Sequence, residues 1–442
     1  MALVAGGVVI LGGGSTGEAF VAALRRLDEN VQITLVEREL VGGECSYWAC
    51  MPTKAALRPT EALAAARRVP GAAEALTGEL DVQAAFAHRD QVAERDDSGQ
   101  ADYLREHDCE LVRGDGRVER AGVVTVGERD LPYDKLVIAT GSEPRIPPVE
   151  GLAELDFWTN REATETTEVP ASLAVIGAGP VGCELAQFFH RAGSRVTVVD
   201  TVDRLLPRED PEVGRLLRDQ FEEEGILIRC NTKLERVDAA GRLHVAGGEP
   251  IEADRVLVAT GRKARVTGLE GLALEISKRG VEVDEHMQAA EGVWAIGDVT
   301  GIAMFTHVGK YQARVAAENV AGGSATAHHG AIPAVTFTDP QVASVGETQG
   351  DGLVSSSYAV EALARTSTYE RPKRAGLLKL FADPKRRVLV GAVAIGPEAG
   401  EWLGQLTLAV RAEVSVDVLR DTIQPYPTFS EAVFFAVREL PL

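Results

Sequence analysis

The sequence is short of positive charge: 46 Lys and Arg stand against 66 Asp and Glu, a formal net charge of −20 at pH 7. Nucleic acid and anionic membrane surfaces repel such a chain, so neither is expected as a partner. Small metabolites held in local pockets escape that exclusion. Long hydrophobic runs are missing too. The opening MALVAGGVVILGGG is apolar, but it lacks a basic leading segment and breaks into glycines after about ten residues, too few to span a bilayer. We read it as entry into a first β-strand of a cytoplasmic protein. Cysteine is scarce and odd in number, five residues at 45, 50, 109, 183 and 230, which argues against a secreted disulfide framework. With only four Met and four Trp, the 45% hydrophobic fraction is largely Ala, Val and Leu, an ordinary globular interior. At 442 residues the chain is long enough for roughly three domains.

What is present is a repeated plan. VVILGGGSTG at 8–17 and LAVIGAGPVG at 173–182 are each a β-branched strand running into Gly-x-Gly-x-x-Gly and then a helical stretch. KLVIATGSEP at 135–144 and RVLVATGRKA at 255–264 each close a buried strand on Ala-Thr-Gly. Two mononucleotide-binding units are implied. A further strand, VWAIGDV at 293–299, ends in Gly297-Asp298, where a carboxylate could meet a sugar-like diol. Past residue 328 the pattern changes to AVTFTDPQVASVG, the strands LLKLFAD and LVGAVAIG, a helix near 399–412 and a last one near 415–421. That reads as an α+β module without a nucleotide fingerprint.

Each glycine has a physical task. The first permits the tight turn, the second lets backbone approach a pyrophosphate, and the third lets helix and strand pack closely, with the helix N-terminus facing the phosphate. Gly12, Gly14 and Gly17 fill those places, as do Gly177, Gly179 and Gly182. An acidic residue about 20 positions on should accept from ribose hydroxyls. Glu37 and Asp200 stand there, each at the end of a second strand. A glycine-rich turn without a ligand is the alternative for one such motif, and the doubling of strand, helix and acid argues against it.

Cys45 and Cys50 lie in GGECSYWACMPTKAAL, where a loop is expected to enter a helix. The spacing lets the sulfurs meet across the first helical turns, and the helix N-terminus should lower a thiol pKa toward the reactive thiolate. Two reduced cysteines packed in a core are the alternative. Their place directly after a nucleotide unit, between Gly42-Gly43 and Lys54, favours redox chemistry. Cys109, Cys183 and Cys230 lack that setting and read as packing residues.

The stretch GGECSYWACMPTK resembles the redox-disulfide signature of the flavoprotein disulfide reductases. The likeness runs over essentially the whole chain, in the order glycine motif, cysteine pair, ATG, second glycine motif, ATGR, AIGD and a C-terminal Pro-Thr-x-x-Glu. The resemblance implies an α/β fold with two doubly wound Rossmann-like nucleotide-binding domains plus a C-terminal α+β dimerisation domain. Its expected boundaries are 1–150 for FAD, 151–268 for NAD(P)H, 269–327 completing the FAD domain, and 328–442 for a homodimer interface. It further implies that Cys50 lies nearer the flavin, that Cys45 exchanges with substrate, and that Lys54 and Glu184 sit beside the flavin N5 edge. Expected FAD contacts are Gly12, Gly14, Ser15, Thr16, Gly17, Glu37, Arg38, Gly43, Glu44, Gly116, Thr140, Gly141, Ser142, Asp298, Met304, Phe305, Thr306 and His307. For the pyridine nucleotide they are Gly177, Gly179, Pro180, Val181, Gly182, Glu184, Asp200 and Gly261. Asp200 favours NADH, since it would repel the extra phosphate of NADPH, although Arg204 and Arg208 lie close in sequence. No metal site is expected.

Two departures bear on chemistry. Glu44 stands where the family has Thr, placing a carboxylate near the first cysteine and the cofactor phosphates. In IQPYPTFSE at 423–431 the family's catalytic His is Tyr426, while the Glu that would hold it is present as Glu431. Mercuric reductases share that Tyr but add a C-terminal cysteine pair, which VRELPL does not supply. A Tyr with an ordinary pKa near 10 is a poor base where an imidazole near 6.5 is a good one. Disulfide reduction is therefore expected to be slow, with a metal ion, a quinone, oxygen or an unusual small disulfide as electron acceptor. A lipoamide-type dehydrogenase with a compensating base elsewhere, and a flavin-bound structural subunit, remain as alternatives.

Overall fold

A computed structural model of the protein describes residues 7–371 and 373–442; the first six residues of the apolar opening lie outside them. The chain forms two compact units, Met1–Pro52 with Asp90–Arg145 and Gly261–His328, and Thr53–Arg89 with Ile146–Thr260 and His329–Leu442. Among the described residues no helix is long and apolar enough to cross a membrane.

In the first unit a six-stranded sheet runs in the order Gln288–Ala290, Val293–Ala295, Lys135–Ile138, Val8–Leu11, Ile33–Glu37, Cys109–Arg113. All pairs but the first are parallel, with Val8 opposite both Ile33 and Lys135. Every residue of Val8–Leu11 is buried, as expected for a strand covered on both faces. Helices Ser15–Leu27 and Thr306–Val320 bury Phe20, Val21, Leu24, Ala313, Ala316 and Ala317 against one face. The three-stranded antiparallel sheet over 116–132 and Leu269 share a core with the other.

The second unit repeats the device. Its parallel sheet has the order Leu227–Arg229, Arg195–Val199, Ser172–Ile176, Arg255–Val258, and helices Pro180–Arg191 and Pro211–Glu224 bury Leu185, Phe188, Phe189, Leu217 and Phe221 against it. The C-terminal module is a five-stranded antiparallel sheet in the order Pro333–Thr336, Gln341–Gly346, Val388–Gly396, Leu377–Asp383, Val354–Ala359. Two expectations are corrected here. The helix expected near 399–412 is two, Ala399–Trp402 and Gly404–Arg411. The helix Val416–Asp421 is not the last, because Glu431–Arg438 follows it and buries Ala432, Val433, Ala436 and Val437 against the sheet. Short amphipathic segments beside Pro-rich chain give too little periodicity for that count to be read from sequence.

A buried ionic cluster joins the elements of this unit. Asp339 Oδ2 accepts from Arg68 and Arg191, both at 2.9 Å, and Oδ1 from Arg374 at 2.6 Å. Glu370 and Glu224 balance the guanidiniums, Glu370 pairing with Arg68 and Arg374 and Glu224 with Arg191. Burial would raise the Asp339 pKa, but Arg374, Arg191 and Arg68 outweigh it and hold the group down at about 2. A folded pKa below the unfolded one stabilises the protein above the unfolded value, and that stabilisation is lost as pH falls through the folded one. We therefore expect about 2 kcal/mol from this ionisation at neutral pH, disappearing between roughly pH 4 and 2. Asp339→Asn should lower the thermal midpoint at pH 7, with the gap to the parent closing near pH 2. A gap that stays constant over that range would show that the charge of Asp339 is not its source.

Candidate active site

The first glycine turn is tight for a backbone reason. Gly12 has φ +112°, and a Cβ there would lie 2.2 Å from the Ala139 carbonyl oxygen. Gly17 comes equally close to the Gly12 carbonyl, so helix Ser15–Leu27 lies directly on its strand. Gly14, at the helix N-cap, has no side-chain cap and open space where a Cβ would point. Gly43 packs against the Gly14 Cα, and the Ser15 N–H donates to the Gly42 carbonyl at 3.2 Å. Glu37 is anchored to this turn: Oε2 accepts from the Gly13 N–H at 2.7 Å and Oε1 from the Glu39 N–H at 2.8 Å. Arg38 is half exposed and 4.0 Å from Asp115. An uncapped helix N-terminus behind a bare glycine, with a fixed carboxylate beside it, fits a dinucleotide's pyrophosphate and ribose.

The first Ala-Thr-Gly turn belongs to the same unit, as does the strand that follows the second. Strands Ser142–Pro144 and Arg262–Ala264 pair antiparallel, and the Thr140 hydroxyl donates to the Arg265 carbonyl at 2.6 Å. Gly141 and Gly261 both have positive φ and open space at the Cβ position. The Ser142 hydroxyl donates to Asp298 Oδ2 at 2.5 Å and accepts from Arg262 Nε at 2.7 Å. Arg262 Nη2 also lies 3.7 Å from Glu44 Oε2. Burial pushes the Asp298 carboxyl up, Ser142 and Arg262 oppose it, and Glu44 adds to it. Glu44 thus faces a counter-charge as well as the cysteine-bearing turn. Sequence reading missed Arg262 in this role, although it stands inside the quoted ATGR. It also missed Gln312, whose buried Oε1 accepts from the Gly297 N–H at 2.7 Å.

Met304 and Phe305 lead into helix Thr306–Val320, and the Phe305 and His307 rings stack with centroids 5.2 Å apart. Thr16 packs on Gly297 and Gly309, at the start of that helix. Gly116 is a glycine for packing reasons: a Cβ there would come within 2.5 Å of Leu11 and 2.9 Å of Val36.

Cys45 is not in a loop. It sits in a short helix, Gly43–Tyr47, and Cys50 begins the next, Cys50–Arg68. Cys50 Sγ lies 3.5 Å from the Thr306 hydroxyl, and Cys45 is close enough to Cys50 for the two side chains to interact. The expected fall in thiol pKa is not found at Cys45. Its hydrogen bond to Cys50 raises the value first, burial second, and Thr306 and Lys310 oppose them only partly. Of the other cysteines, Cys109 and Cys183 are core residues and Cys230 is half-buried beside the second core.

In the second unit Gly177 has φ +121° and Gly182 lies on the Gly177 carbonyl, repeating Gly12 and Gly17. Gly179 is an open N-cap with Pro180 at the first helical position, and Val181 beside it is 40% exposed. Asp200 Oδ2 accepts from the Ala178 N–H at 2.7 Å, the counterpart of Glu37 on Gly13. Arg204 donates to Asp203 at 2.8 Å and to the Pro207 carbonyl at 3.0 Å, while Arg208 is exposed. Glu184, only 4% exposed, accepts from Lys54 Nζ at 2.6 Å. Near the C-terminus Tyr426 is 75% exposed, and the Glu431 carboxylate accepts from the Thr428 N–H at 3.3 Å.

The sequence profile of the pyridine nucleotide-disulphide oxidoreductases matches residues 6–317, and that of their dimerisation domain matches residues 332–436. The chain belongs to this family. It is 34% identical to a dihydrolipoyl dehydrogenase of Thermus scotoductus over 98% of this chain and 97% of that one. It is 33% identical to a mercuric reductase of Streptomyces lividans over 96% and 94%. Among solved structures it resembles LpdA of Mycobacterium tuberculosis, with a TM-score of 0.85 at 25% identity over 98% of each chain. The HOCl-induced flavoprotein disulfide reductase RclA of Escherichia coli, 22% identical with a TM-score of 0.85 over 98% of this chain and 99% of that one, shares the fold. The family is one of FAD-dependent pyridine nucleotide-disulfide oxidoreductases. A mixed α/β chain with Rossmann-like units and a C-terminal dimerisation domain is the fold it shares.

Proposed function

We propose that the protein is a homodimeric, cytoplasmic oxidoreductase that takes hydride from NADH and passes the electrons through FAD and the Cys45–Cys50 pair to a small acceptor. The observation that carries the reading is the cysteine pair, Cys45 in helix Gly43–Tyr47 and Cys50 at the head of helix Cys50–Arg68, with the two side chains close enough to interact. When bound, FAD supplies a two-electron acceptor for hydride and a donor to the disulfide. The residues proposed to hold it are the turn at Gly12, Gly14 and Gly17, with Glu37 on the ribose and Ser142 and Asp298 on the remaining chain. Thr306 touches Cys50 and is placed to steady the thiolate, while Cys45 retains the proton that its hydrogen bond and burial hold there. The domain boundaries at 150, 268 and 327 are part of this proposal.

Asp200 and Arg204 support the nicotinamide choice. The carboxylate is fixed by the turn it faces, and the nearest guanidinium is occupied by Asp203 and Pro207 rather than open to a 2′-phosphate. A carboxylate at that place accepts from a ribose diol and repels a phosphate. Higher kcat/KM with NADH than with NADPH is the expected result, and Asp200→Ala should narrow the difference. Equal efficiency in the parent would refute the assignment. The acceptor is tested by NADH oxidation against lipoamide, glutathione disulfide, quinones, oxygen and mercuric ion, the last three being favoured by the loss of the family's His at Tyr426. A folded protein that takes up no FAD, or one that turns over no acceptor, would sink the reading.

A further inference from the structure

Within the second unit, Lys54 has two neighbours of different kinds. Its Nζ is 2.6 Å from Glu184 Oε2, and it stands over the Phe337 ring, 4.8 Å from the centroid. Phe337 also touches Glu184 by another route, because its backbone N–H donates to Glu184 Oε1 at 2.8 Å. One residue of the C-terminal module thus fixes the second oxygen of the carboxylate and covers the ammonium which the first oxygen holds.

The placement of Phe337 is itself enforced. Gln187, fully buried, exchanges two hydrogen bonds with the Asp339 backbone, Nε2 donating to its carbonyl at 2.9 Å and Oε1 accepting from its N–H at 2.8 Å. Arg191 holds the Asp339 carboxylate. Glu184, Gln187 and Arg191 are spaced three and four apart along helix Pro180–Arg191 and so share one face. That face grips residues 337 to 339 at successive points. A lysine on a flexible four-carbon stem gains a defined direction only when several groups restrain it.

We propose that Phe337 is a positioning residue for Lys54, its ring face and its N–H together fixing the Lys54–Glu184 pair. The proposal rests on the reading of that pair as part of the flavin site. It gives the C-terminal module a part in the redox chemistry of its own chain besides dimerisation.

The test is competitive acetylation of the FAD-loaded protein with acetic anhydride across pH, Lys54 being read by mass spectrometry against the other lysines as internal references. Phe337→Leu should raise Lys54 labelling near pH 8 about two- to fivefold, the size of a partly exposed cation–π contact, and Phe337→Tyr should restore the parent value. A fluorinated phenylalanine introduced at 337 keeps the shape but drains charge from the ring face, so it should raise labelling in the same direction. It also serves if the Leu protein does not fold. A role in packing alone would shift the thermal midpoint and leave the labelling ratio unchanged, which would overturn the proposal. A fluorinated protein that labels like the parent would overturn it as well. Failure of the underlying reading is separate, and shows as a parent protein that takes up no FAD or whose flavin NADH does not reduce.

Discussion

Cys50→Ser is expected to leave a yellow protein whose flavin is still reduced by NADH but whose electrons go no further, with disulfide-dependent turnover at background. Cys50, its Sγ 3.5 Å from the Thr306 hydroxyl, opens helix Cys50–Arg68, where the N-terminal end of the helix favours a thiolate. Cys45, by contrast, is pushed up as a thiol by its hydrogen bond to Cys50 and by burial. On the proposed reading, the remaining proton of the reduced pair resides on Cys45 and the negative charge on Cys50. Anaerobic NADH should then give a long-wavelength band from the Cys50 thiolate against the flavin in the parent. The band should be absent in Cys50→Ser and present before any reduction in Cys45→Ser. Parent-like turnover in both single variants would mean that the pair is structural and electrons leave directly from the flavin.

The parts of this site that were legible in sequence are those whose physics is local. Gly12, Gly17, Gly177 and Gly182 are where they are because backbone oxygens leave no room for a Cβ, and a tight turn between a strand and a helix always demands that. Glu37 and Asp200 were readable for the same reason, each lying at the end of the strand next to its turn and binding the turn's N–H. Contacts made over long sequence distances were not readable. Arg262 reaches Ser142 from 120 residues away, and Phe337 reaches Glu184 across 153. Gly116 was legible as a glycine that mattered, but the structure gives a core reason for it in Leu11 and Val36. The raised value at Cys45 was hidden because helix position alone predicts the opposite sign, and only the geometry of the dithiol shows that the partner sulfur outweighs it.

Tyr426→His is expected to raise the rate of disulfide reduction by about 10²-fold or more, within the 10²–10⁴ range of general acid–base groups. Tyr426 stands 75% exposed next to Ile423 at 94%, on a module that matches the family's dimerisation domain. Glu431, three residues past Thr428, begins helix Glu431–Arg438 and accepts from the Thr428 N–H, so its carboxylate is held near the chain turn that carries position 426. A carboxylate so placed can orient an imidazole and keep it protonated over a useful range, as it cannot for a phenol with an ordinary pKa. The gain should appear with lipoamide or glutathione disulfide, whose reduction requires a proton at each leaving sulfur. It should be small with one-electron acceptors and with NADH reduction of the flavin, neither of which calls on a base at that position. The pH profile is the sharper readout: the His variant should acquire a titration near pH 6–7 in kcat/KM for the disulfide that the parent lacks. If the parent already reduces a disulfide rapidly and the His variant is slower, Tyr426 is itself a working catalytic or substrate-binding residue. The acceptor class would then have to be sought among disulfides.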